Sequence, residues 1–265
     1  MYVRDCRSNN PDKILLQVEP PVLDDLHCRL QHTRWPQTVA ADGWAVGTDV
    51  DYLRQLIDYW GTGYDWRQQE PWLNSFSHYR STIDGIAIHY IHQRSADADA
   101  LPLLLLHGWP GSFVQMLKLL PLLTNPVAHG LAKAPSFHVV IASLPGFGFS
   151  DAPTEPGMNL EVMAGVMAKL MHAVLGYDKY AVRGSDIGGV TVDQMARHYP
   201  HQLLGAHLTQ IIVSYGPPVP PAPREWAARS HNVVQFSETA TGGHFLEWEE
   251  PLLVATDMQR FFSNL

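Results

Sequence analysis

The stretch that most narrows what this chain can fold into is Tyr180-Ala-Val-Arg-Gly184-Ser185-Asp186-Ile187-Gly188-Gly189. An apolar strand here enters a helix directly, through Gly-x-Asp-x-Gly, with no room for a loop. Small residues on both sides let the backbone turn that sharply. A strand feeding straight into a helix is half of a βαβ unit, which places it in a parallel sheet. The residues alone leave Asp186 two roles. It is a helix N-cap, as Asp commonly is, or a nucleophile held on a strained turn at the end of a strand.

The rest of the chain repeats the strand–helix alternation. Ahead of it, apolar residues four apart predict a helix over Val22–Leu30, ended by Arg34-Trp35-Pro36, and a second over Asp51–Trp60. The aromatics Trp60, Tyr64, Trp66 and Trp72 follow and read as packing residues. Phe76–Arg80 and Ile86–Ile91 alternate around Asp84-Gly85 as a hairpin does. Leu103–Leu106, Phe137–Ser143, Lys179–Arg183 and part of Leu203–Val213 read as strands, and Asn232–Phe236 as a last one. Helices are expected from the cap Asn159 to Gly176, over Ile187–Tyr199, over Arg224–Arg229 and over Pro251–Phe262. The expectation is an α/β protein with a mainly parallel, doubly wound sheet and an N-terminal helical arm.

The length, 265 residues, suits a single α/β domain, with the arm over 1–75 and the core over 76–265. A net charge of −8 argues against nucleic acid as a partner. Two cysteines, Cys6 and Cys28, form no disulfide framework or metal motif, which fits a cytoplasmic protein. The first residues have no apolar core of a secretory signal, and no apolar run is long enough to span a bilayer. No His-Glu-x-x-His or Cys/His cluster points to a metal, and Gly146 and Gly148 lack the spacing of a dinucleotide fingerprint. No cofactor is expected. His89 and His92, three apart in a strand, face opposite sides and do not chelate together.

Two further pieces bear on Asp186. His107-Gly108-Trp109-Pro110 follows an earlier strand, so the Trp109 and Ile187 amides can converge on one oxygen as an oxyanion hole. His244, in Gly242-Gly243-His244-Phe245 near the end of the chain, follows the nucleophile candidate in the order that a base does in α/β-hydrolases.

With these marks the chain resembles the microsomal-type epoxide hydrolases, which include the juvenile hormone epoxide hydrolases. The resemblance rests on Arg34-Trp35-Pro36, Gly63-Tyr64-Asp65-Trp66-Arg67, Ile83-Asp84-Gly85, His107 to Ser112, Pro145 to Ser150, Gly184 to Gly189 and Gly242 to Phe245. It implies an α/β-hydrolase fold and a two-step reaction. Asp186 attacks an epoxide carbon to form an alkyl-enzyme ester, and water activated by His244 hydrolyses it, with Trp109 and Ile187 holding the oxyanion. The implied partners are a small hydrophobic epoxide and water. Ile187 stands where the family usually has Trp, which the role of a backbone N–H tolerates.

Two family devices are missing from the sequence. Between Val213 and Arg224 the chain has no room for a helical cap carrying tyrosines, so the cap is expected to be deleted near 214–223. Pro217, Pro218, Pro220, Pro221 and Pro223 exclude a central strand in that interval, and Tyr215 is the nearest phenol. The family's acid, eight residues before the position of Trp226, falls on Pro218. Glu225 and Glu238 are the candidate replacements. The alternative function is a catalytically weak or inactive hydrolase-fold binding protein, and an unpaired sheet edge would favour a homo-oligomer. A dehalogenase is disfavoured because no Trp follows Asp186.

Overall fold

The computed structural model describes residues 11–37, 43–131, 134–209 and 223–264. Cys6, Tyr215 and the prolines from Pro217 to Pro221 lie outside these residues. The chain divides into two compact units, one built on Ile14–Phe76 and one on Ser77–Leu265, with residues 11–13 belonging to the second.

The first unit holds three helices, α1 (Pro20–Gln31), α2 (Val50–Thr62) and α3 (Trp66–Leu73). Pro20 opens α1, where a missing N–H costs nothing. Asp49 caps α2 by accepting from the Tyr52 N–H at 2.8 Å, and Asp65 caps α3 by accepting from the Arg67 N–H at 2.8 Å. Side chains of α3 and its end then act as backbone partners for the extended segment before α1. Asn74 both accepts from the Leu16 N–H and donates to the Leu16 C=O, each at 2.8 Å. Glu70 accepts from the Val18 N–H, the Trp66 indole and Arg67. Partial burial would raise the Glu70 carboxyl, but these hydrogen bonds hold it below its ordinary value.

The second unit is built on a sheet of β1 (Asp12–Ile14), β2 (His78–Ile83), β3 (Ile86–Gln93), β4 (Leu101–Leu106), β5 (Phe137–Ala142), β6 (Tyr180–Ser185) and β7 (Leu203–Thr209). The strand order is β1-β2-β3-β5-β4-β6-β7. From β5 through β4 and β6 to β7 the strands are parallel, whereas β2, β3 and β5 pair antiparallel. The sheet is therefore mixed, and its antiparallel end is the hairpin read from Asp84-Gly85. Both turn residues have positive φ, 50° and 82°, the geometry that suits the twist of a two-residue hairpin.

Strands β4, β5 and β6 are buried on both faces, so their sequences read as nearly unbroken apolar runs rather than alternations. Leu104, Leu106, Val140, Ala142 and Val182 pack in one core with α5 (Leu160–Lys169) and α6 (Ile187–His198). Leu103, Leu105, Val139 and Ile141, also fully buried, alternate to the other face. α4 (Leu119–Thr124) packs on β5, and α9 (Pro251–Phe262) on α4 and β7. Asn159 caps α5 by accepting from the Val162 N–H at 2.9 Å, and α5 runs on as a π-helical turn, Leu170–Val174, before Gly176 at φ +73°.

Two short helices complete the unit, α7 (Arg224–Ala227) and α8 (Leu246–Glu249). The expected strand over Asn232–Phe236 is not one. The segment alternates between half-buried and exposed residues as a strand would, yet it joins no ladder. Side chains meet it instead: Arg224 donates to the Val233 C=O, and the Gln235 amide reaches the Asp257 C=O of α9. No helix among the described residues is long and apolar enough to cross a membrane.

Candidate active site

Asp186 sits between β6 and α6 with φ +53° and ψ −127°. It and Asp84 are the only non-glycine residues with positive φ among the described residues. This is a conformation an L-residue holds only when its surroundings impose it, at a cost of about 1–3 kcal/mol. The surroundings here are glycines. A Cβ on Gly184 would lie 2.3 Å from the Gly188 C=O oxygen, and one on Gly188 would lie 2.3 Å from the Leu106 C=O oxygen. The start of α6 therefore presses against its own strand and against β4, and the turn between them has no slack. Asp186 stands at the N-cap position of α6 but does not cap the helix with its side chain.

The carboxylate points instead to the turn after β4. The Trp109 N–H donates to Asp186 Oδ1 at 2.8 Å. Gly108 makes room for it, since a Cβ there would stand 2.2 Å from the same oxygen. His107 lies buried beneath the turn, its Nδ1 3.1 Å from the Gly108 C=O and its Nε2 3.3 Å from the Leu144 N–H. Ile187 is the first residue of α6, so its N–H belongs to the first turn, whose donors have no partner within the helix.

His244 Nε2 lies 3.8 Å from Asp186 Oδ2, with the two side chains 27% and 31% exposed. The pair is thus beyond hydrogen-bond reach but close enough for one water to bridge. Gly242 sits at φ +94°, a conformation that favours glycine, and a Cβ there would stand 2.1 Å from the Leu246 side chain. Glu249 on α8 then clamps the loop on both sides of the histidine. Its carboxylate accepts from the Gly243 N–H at 2.7 Å and from the Phe245 N–H at 2.9 Å.

Neither candidate replacement acid reaches His244. Glu225 is exposed on the short α7, and Glu238 is exposed in the loop after the extended segment. Among the described residues no carboxylate hydrogen-bonds the Nδ1 of His244. No group of three or more His, Cys, Asp or Glu among them is placed to hold a metal ion.

Beneath the elbow lies a charged pair that the sequence reading missed. Arg183 Nη2 donates to Glu247 Oε1 at 2.5 Å, and both side chains are fully buried. Burial would raise the Glu247 carboxyl, but the Arg183 charge and the Gln115 hydrogen bond hold it below its usual value. The only signal in the sequence was an Arg in the middle of a buried strand, which demands a counter-charge without saying which acid supplies it.

A mixed sheet with a parallel centre wound by helices on both faces, a strained carboxylate at the end of β6 and a histidine beside it place the chain in the α/β-hydrolase fold family. Residues 102–261 match that family. Residues 11–116 match the epoxide hydrolase N terminus, so within that fold the chain carries the marks of the epoxide hydrolases. A putative epoxide hydrolase of Stigmatella aurantiaca is 46% identical over 193 residues, which cover 73% of this chain and 44% of that protein. Epoxide hydrolase 1 of Sus scrofa is 36% identical over 195 residues, covering 72% and 43%. The chain thus spans less than half the length of the curated relatives it matches. Among solved structures, juvenile hormone epoxide hydrolase from Bombyx mori superposes with a TM-score of 0.67 at 28% identity, over 77% of this chain and 53% of that one. Aspergillus niger epoxide hydrolase gives 0.81 at 21% identity over 97% and 96%, a likeness of fold.

Proposed function

We propose that the chain hydrolyses epoxides to diols through a covalent ester on Asp186. The observation that carries this reading is the division of labour within one carboxylate. Oδ1 is held by the Trp109 N–H, and Oδ2 faces His244. Oδ2 attacks an epoxide carbon, the carbon–oxygen bond of the ring breaks, and the alkoxide takes a proton from water. A carboxylate needs no base to attack a saturated carbon, whereas a serine there would leave an ether that water cannot cleave. In the second step His244 Nε2 takes a proton from a water, whose oxygen attacks the Cγ of the ester. The charge that develops on Oδ1 is met by the Trp109 and Ile187 amides, a contribution on the order of 10²–10³ in rate per donor. Collapse releases the diol oxygen, which takes the proton from His244, and the Asp186 carboxyl that is left gives its proton to the hydroxide of the first step, so one water is consumed overall.

The substrate class in this reading is a small hydrophobic epoxide, with water as the second reactant and the cytoplasm as the location. The interval of residues 214–223, rich in proline, supports a core without an inserted cap. The outer edge of β7, half-exposed throughout, supports self-association as an accompanying property.

The test replaces His244 with Gln and incubates the variant with styrene oxide, reading the mass of the Asp186 peptide. An adduct on Asp186 in the variant, and diol from the unaltered chain, is the expected result. No adduct and no diol across a panel of terminal and internal epoxides would sink the proposal. A second reading, a hydrolase shell that binds without turnover, is favoured by the lack, among the described residues, of a carboxylate on His244 Nδ1. It predicts ligand binding that Asp186→Ala leaves unchanged.

A further inference from the structure

We infer that the buried Arg183–Glu247 pair is the strut that sets the separation of Asp186 and His244, making both residues positioning residues of the proposed active site. The inference rests on the function proposed above. Arg183 lies on β6, three residues before Asp186, and Glu247 lies on α8, three residues after His244. Their 2.5 Å contact ties the nucleophile's strand to the helix that carries the base loop. The second Glu247 oxygen accepts from Gln115 Nε2 at 2.7 Å, and that same nitrogen is 3.4 Å from the Ser185 hydroxyl beside the elbow. Gln115 also braces the turn that carries Trp109, because a Cβ on Gly111 would stand 2.4 Å from its Oε1. One network therefore touches all three loops on which the chemistry depends: elbow, oxyanion turn and base loop.

The far side of Arg183 is held as firmly. It donates to Thr209 Oγ1 at 2.8 Å and to His207 Nδ1 at 2.6 Å on β7. With Nδ1 accepting, the proton of His207 is on Nε2, which donates to Asp257 Oδ2 on α9 at 2.9 Å. A fully buried ion pair is seldom the most stabilising choice, since apolar residues of similar volume often serve stability as well. What a salt bridge adds here is a fixed length and direction between two elements. Catalysis responds steeply to such placement, a misplacement of about 1 Å costing about 10²-fold.

The test uses the double variant Arg183→Met/Glu247→Leu, which leaves no buried charge unpaired, and Glu247→Asp, which keeps the charge but shortens the arm. In hydrogen exchange, peptides covering 107–112 and 242–245 are expected to exchange at least about tenfold faster, beyond any change shared by peptides of the β2–β3 hairpin. With styrene oxide, single-turnover kinetics should show ester formation within about threefold of the unaltered chain and ester hydrolysis slowed about 10–100-fold. Glu247→Asp should move both readouts the same way by less. Unchanged exchange in both loops, or equal loss in the two chemical steps, overturns the inference. If the unaltered chain forms no ester, the proposed function fails, while the exchange experiment still decides the strut.

Discussion

Asp186 is expensive for the chain to hold where it is. Its φ is positive, its neighbours Gly184 and Gly188 are packed against backbone oxygens, and Gly108 is bare so that the carboxylate fits. Gly188→Ala forces a methyl onto the Leu106 and His107 carbonyls, neither of which is the end of a flexible side chain. We expect a loss of about 1–3 kcal/mol in urea denaturation from this overpacking. Gly108→Ala strikes the site itself, because its added methyl would stand 2.2 Å from the Asp186 Oδ1 and 2.5 Å from its Cβ. The Cβ is fixed by the backbone, so the two turns must move apart and the Trp109 N–H lose the carboxylate. The expected result is a drop of about 10²-fold in turnover of the proposed reaction, together with a stability loss of about 1–3 kcal/mol in urea denaturation.

Among the elements, caps and clamps decide what the loops can do. Asn159 is the sole side chain capping α5, which packs on α6. Asn159→Ala should cost about 1 kcal/mol by equilibrium unfolding without altering the chemistry of the site. Glu249 is the opposite case. Its two hydrogen bonds hold a loop rather than a helix, so in the proposed reaction Glu249→Ala should slow the His244-dependent hydrolysis of the ester more than its formation. Rapid-quench measurement of both steps checks this. The β2–β3 hairpin, the helices and the central strands were legible because their periodicity and turn residues are local. Asn232–Phe236 was not, since its alternation is that of a strand, and ladder pairing depends on neighbours that no local pattern reports. Glu249 escaped notice for a similar reason. Its backbone partners are visible only once the Gly-Gly-His-Phe loop has been folded back onto α8.

On the scale of the whole core, buried imidazoles link stability to pH. Burial lowers His92 to about 4, and neighbouring Arg94 and His138 push the same way. Burial also pushes His89 well below its usual value, helped by His78, Arg80 and His107. In the unfolded chain a histidine titrates near ~6.5. Below that pH the unfolded chain binds protons that the folded one refuses, so the stability these residues contribute is complete above about 6.5 and is lost as the pH falls toward 4. Urea midpoints measured from pH 7.5 to 4.5 should therefore decline, and His92→Gln should flatten part of that decline. A midpoint independent of pH over this range would mean that the two imidazoles bind protons as readily in the folded chain as in the unfolded one.

By itself the sequence determined the architecture and singled out three turns that the structure brings together. Strand and helix periods, the Gly-x-Asp-x-Gly turn, the His-Gly-Trp-Pro turn and the glycine-rich histidine loop are all short-range patterns whose physics acts between near neighbours. Only the tertiary structure decided what surrounds them. It placed Trp109 N–H, 77 positions distant, on Asp186, kept Glu225 and Glu238 away from His244, and buried Arg183 against Glu247. Those outcomes depend on which strands lie side by side and which charges are shut away from water together. Such long-range pairings leave no period in the chain, because each is fixed by the packing of elements far apart in sequence.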